Sequence, residues 1–130
     1  MDSEVQEFRR TVNGSLAFNK GILDCLTKYQ TATAALARVI VKASSLCGCI
    51  HIAADQQHLS PGSGLDDLSE LMKTHITGDL CRRCRENVER EIATSLYYLT
   101  AIANAFGTDI GQLMESETRR GEMLGKYYIK

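Results

Sequence analysis

Along much of the chain, apolar residues recur every three or four positions. Ile22, Leu26, Tyr29, Leu36, Ile40 and Ala43, with Thr33 among them, fall on one helical face. The spacing predicts a long amphipathic helix that ends near Leu46, with Asn19 as its N-cap. Val88, Ile92, Leu96, Leu99, Ile102 and Phe106 repeat the rhythm. They predict a second long helix from about Leu80 to Phe106, of which they make the stripe. Gly107 suits the left-handed residue that closes such a helix. Between the two, "QQHLSPGSG" at 56–64 reads as a loop. Leu65, Leu68, Leu71 and Met72 then form the inner face of a short helix, and Asp79 is the expected cap of the next. Thr108 or Asp109 opens a last short helix through Ile110, Leu113 and Met114. The weak periodicity of residues 1–18 suggests a weakly structured N-terminal arm, leaving 19–130 as a single helical domain. Strict apolar/polar alternation is scarce, so the expected class is all-α, with two long antiparallel helices and several short ones.

Composition changes this picture little. The chain has 130 residues, 44% of them apolar, with one proline and no tryptophan. A domain of that size can bury a real core without covalent staples. The net charge of −1 points to neither nucleic acid nor a membrane surface as partner. No apolar run reaches the length of a membrane span, and the opening residues lack a signal-peptide core. The expected compartment is the cytoplasm, where thiols stay reduced.

That expectation sharpens the meaning of the five cysteines. Four form two tight pairs, Cys47-Gly48-Cys49 and Cys81-x-x-Cys84. Paired cysteines in a reducing compartment point to metal binding or redox work. Two thiols in the first turn of a helix can face one point, next to the positive end of the helix dipole. Two thiols one residue apart diverge in a regular helix. Gly48 allows a conformation that reunites them, so the first pair belongs where the long helix ends or bends. Zinc in a closed, four-cysteine structural site is the preferred reading, ahead of an iron–sulfur cluster. His51 and His75 are the competing ligands. Cys25 reads as a buried core thiol.

The stretch "EREIATSLYYLTAIANAFGTDIGQLM", 89–114, resembles the C-terminal helical hairpin of the MazG-like, all-α nucleoside triphosphate pyrophosphohydrolases. Glu91, Ile92 and Ala93 match one step of that family's pattern. Leu96, Tyr98, Leu99, Asn104, Gly107, Asp109 and Ile110 match the rest. The match spans 26 residues, and the first long helix lies where the family's first catalytic helix would. The resemblance implies a MazG-like bundle and a magnesium site built from E-E-x-x-E plus a later Glu and Asp three residues apart. Here the later pair is Glu91 and Thr94, and no acidic residue stands between Asp24 and Asp55. Hydrolysis is therefore expected to be lost, and binding of a nucleotide or a protein to remain. Two alternatives stand beside this. One is an active magnesium-dependent hydrolase rearranged around Asp24, Glu91 and Asp55 or Asp109. The other is a thiol-based redox or metal sensor.

Arg82, Arg83, Arg85 and Arg90, and Arg119, Arg120, Lys126 and Lys130, are interleaved with acids and read as solvated faces. The tail residues Tyr127, Tyr128 and Ile129 add apolar surface that should dock. The two long stripes together with this surplus, and the resemblance, suggest a homo-oligomer, most simply a dimer.

Overall fold

The computed structural model describes residues 3–16 and 20–128. Its elements are helices α1 (Ser3–Ser15), α2 (Ile22–Lys42), α3 (Leu65–Leu71), α4 (Arg82–Ala105) and α5 (Ile110–Leu124), and strands β1 (Ile50–Ile52) and β2 (Ile76–Gly78). A π-helical turn, Ala43–Cys47, extends α2, and a 3₁₀ turn, Gly125–Tyr127, follows α5. The fold is mostly helical, with one two-stranded antiparallel sheet pairing Ile50 with Gly78 and Ile52 with Ile76. Among the described residues no helix is long and apolar enough to cross a membrane.

Helices α2 and α4 form the frame and run antiparallel. The far end of α2 meets the first turn of α4 at the cysteines. Cys25, near the start of α2, packs with Ala101, near the end of α4. Small residues make this close approach possible: Cys25, Ala32 and Ala43 are buried on α2, and Val88, Thr100 and Ala101 on α4. Thr100 is buried without cost to its hydroxyl, which donates to the Leu96 carbonyl at 2.7 Å.

One expectation needs correcting here. Residues 3–15 are not a loose arm but a helix, with Val12 fully buried against Cys25 and Ala101. Their apolar stripe is narrow, because Gln6 and Arg9 occupy the same face and bond to Asp109 of the α5 cap. Most of the α4 stripe faces away from α2, although Ile102 packs against the core. Only Val88 of its outer members is buried, while Ile92, Leu96, Leu99 and Phe106 are 44–72% exposed. The side that meets α2 reads as weakly apolar because small and hydroxyl residues line it.

Other boundaries agree with the sequence or shift slightly. Gly107 has φ 67°, and the amides of Gly107 and Thr108 close α4 on Asn104 and Ala103. Asp109 caps α5 through the amides of Gly111 and Gln112, and α5 is longer than expected. The expected cap Asn19 lies outside the described residues, and Gly21 holds the cap position of α2. In the tail, the Tyr128 hydroxyl donates to Glu117 and its ring packs over Gly121.

Candidate metal centre

Each cysteine pair is placed by a local departure from regular helix. At the end of α2 the π-helical turn widens the coil, and Gly48 reverses it in the left-handed region, φ 82°. Its amide donates to the Ala43 carbonyl at 2.9 Å. This reversal brings Cys47 and Cys49 to the same side, as the glycine between them suggested. The chain then enters β1, whose partner β2 leads back to α4.

Gly78 is the residue that lets this pairing close. Its φ is +85°, and a Cβ there would stand 2.7 Å from the Cys49 carbonyl oxygen. Nothing in the sequence marked it as more than a helix breaker. Strands of three residues are too short for alternation to reveal.

The second pair occupies the first turn of α4. Cys81, not Asp79, is the N-cap, and its Sγ accepts the Cys84 amide at 3.4 Å. A thiolate here fills the role of a capping carboxylate, satisfying an amide the helix leaves free. Cys84 then sits one turn into the helix, aimed at the same point.

The four sulfurs converge. Sγ atoms of Cys47, Cys49, Cys81 and Cys84 all lie within 4.8 Å of one another, and Cys47 and Cys81 are 3.8 Å apart. Four sulfurs at ~2.3 Å from one tetrahedral ion are spaced by about 3.8 Å. The arrangement is thus that of a metal-ion site needing only a small contraction. Cys47 is exposed, and the other three are half-buried.

Without an ion, the thiols hold their protons unevenly. Cys81 is held down at about 7, foremost by the Cys84 amide and then by the Cys84 thiol. Cys84 is pushed up to about 12, chiefly because its proton bonds to Cys81. For Cys47, Cys84 and the Cys49 backbone pull the value down. Hydrogen bonds to Cys81 and Cys49 outweigh them, and the net direction is up. A sulfur whose proton is loosened by a helix terminus, beside thiols that hold theirs, is an arrangement from which a cation would displace protons.

The remaining candidates are elsewhere. His51 is exposed on β1 and His75 precedes β2, and neither belongs to the sulfur group. Asp24, Asp55, Glu91 and Asp109 do not form a converging carboxylate group among the described residues. Asp109 is held by Gln6 and Arg9, and Thr94 bonds back to the Arg90 carbonyl of its own helix. Cys25 is 1% exposed in the core, where burial and then Asp24 raise its pKa. No family model matches the chain, and neither does any curated protein or solved structure.

Proposed function

We propose that this is a MazG-like helical protein that has given up nucleotide hydrolysis, carries one structural zinc ion, and works by binding a nucleotide or a protein. The observation that carries the zinc is the spacing of the four sulfurs, with 3.8 Å between Cys47 and Cys81. A cluster would interpose several irons between the thiolates and spread them further than one ion does. The ion would fasten the end of α2 to the start of α4, so its binding energy is folding energy. The loss of hydrolysis is supported by the sequence of α2, which carries no acid between Asp24 and the loop residue Asp55, and by Thr94 in place of an aspartate. A hard cation needs several carboxylate oxygens, which these residues do not supply.

The test is a hydrolysis assay on common nucleoside triphosphates with magnesium. The expected result is no release of pyrophosphate above a Glu91→Gln control. Magnesium-dependent release that Glu91→Gln abolishes would restore the enzyme reading.

One observation favours a second reading of the same site. Cys47 is exposed and near Cys81. A hydroperoxide could oxidise Cys47 to a sulfenic acid, which Cys81 would then displace as water to leave a disulfide and free the zinc. Zinc release in step with the loss of two thiols would favour this sensor reading. Retention of zinc under mild peroxide would leave the structural role alone.

A further inference from the structure

Helix α4 has two apolar faces, and the chain covers only one. Val88 and Ala101 lie against α2, but Ile92, Leu96, Leu99 and Phe106 are 50%, 47%, 44% and 72% exposed. With Ala103 between the last two, these positions step by four, three, four and three, the rhythm of a coiled-coil seam. Helix α5 runs beside it and adds Leu113 and Met114, each about half exposed. Together the two helices line an open trough of about 530 Å³.

We propose that this face is the interface between two copies of the chain, packed about a two-fold axis that passes Leu99. Area is the first argument. Taking a large side chain as roughly 150–200 Å², the six residues leave roughly 450–600 Å² open per chain. Two copies cover roughly 900–1,200 Å² from these residues alone, and Ile102 and Ile110 at the trough's edge add to it. That meets the ~1,000 Å² expected of a biological interface, and the patch is at the upper limit for a monomer.

Charge is the second argument. From Ile92 to Thr108 there is no charged residue. About such an axis Leu99 meets its own copy, and residues one turn away meet each other's copies, so a charge near the axis would face a like charge. The α4 part of the seam, free of charge, pairs with itself freely, and the charge that lines the trough on α5, Glu117, is taken up by Arg120 and Tyr128. The exposed apolar residues of α2 make a weaker case. Leu23 and Leu26 lie near one end and Val41 near the other, with Lys28 and Arg38 between. The tail is also less apt, because Tyr128 is occupied by Glu117.

The full zinc-bound chain, studied by light scattering at about 50 µM, should run at twice its 14.4 kDa mass. Leu99→Glu and Leu99→Lys should each give folded monomers, checked by helical circular dichroism and unchanged zinc content. Mixing the two should restore a dimer. Met123→Glu, at a residue 81% exposed outside the trough, should remain dimeric. A monomeric wild type, as a different protein partner would require, overturns the proposal. So does a dimer that survives Leu99→Glu. Folded charge variants that stay monomeric on mixing overturn the placement of the axis.

Discussion

The two ends of the α2–α4 frame are held by different means. At one end, Val12, Cys25 and Ala101 are fully buried and joined by Phe8, Leu16, Tyr97 and Ile102. Polar clasps back this core: Gln6 and Arg9 hold Asp109, and the Asn104 amide donates to the Arg9 carbonyl at 3.0 Å. At the other end only Ala43, Ile50 and Val88 are buried, and the sheet is three residues wide. What that end has in place of a core is four converging sulfurs. On the proposed zinc reading, the comparison teaches that a metal ion and a packed apolar cluster can serve one purpose at opposite ends of a helix pair, with opposite sensitivities.

The largest test of that contrast is removal of one ligand. Cys84→Ser should abolish stoichiometric zinc binding and lower the melting temperature by roughly 10 °C or more, a large share of a small domain's stability. A strong chelator should do the same to the wild type. Gly78→Ala comes next. Its Cβ would strike the Cys49 carbonyl, and its φ of +85° is strained for any side chain. A cost of about 1–3 kcal/mol and weaker zinc retention in a competition titration are expected.

At the packed end, Val12→Ala should cost about 2 kcal/mol in chemical denaturation through lost burial and a residual cavity. Its zinc content should stay at the wild-type level, and that separation of stability from metal is what distinguishes the two ends.

The smallest effect is expected at Asp109. Burial alone would raise its pKa, but the Gln6 amide, the amides of Gly111 and Gln112, and Arg9 together lower it. A carboxylate depressed on folding stabilises the fold above its unfolded pKa, and that contribution fades as pH falls through the folded value. Between wild type and Asp109→Ala, both metal-free, the gap in melting temperature should be a few degrees at pH 7 and should narrow as the pH falls below the ordinary carboxylate range. A gap unchanged by acid would mean the charge is not what stabilises.

The frame and the sulfur quartet were readable from spacing alone. Periodicity locates α2 and α4, Gly107 and Asp109 mark a helix end and a helix start, and Cys47-Gly48-Cys49 predicts a bend. What the sequence concealed has physical causes. The stripe of α1 is shared with polar residues whose partners lie 95–103 positions away. Strands β1 and β2 are too short to show alternation, so Gly78 read as a breaker. On α4 the weaker stripe meets α2 and the stronger one does not, because small residues allow close packing while most of the large ones stay outside. Cys81 displaced Asp79 as the cap because a sulfur can fill that role as an oxygen does.

The central claim rests on the metal. The most direct measurement is the metal content of the protein purified without added metal, by elemental mass spectrometry, beside Cys84→Ser. One zinc per chain in the wild type and none held stoichiometrically by the variant is the predicted result. A metal-free wild type with five free thiols, whose melting temperature neither zinc nor chelator changes, would contradict it.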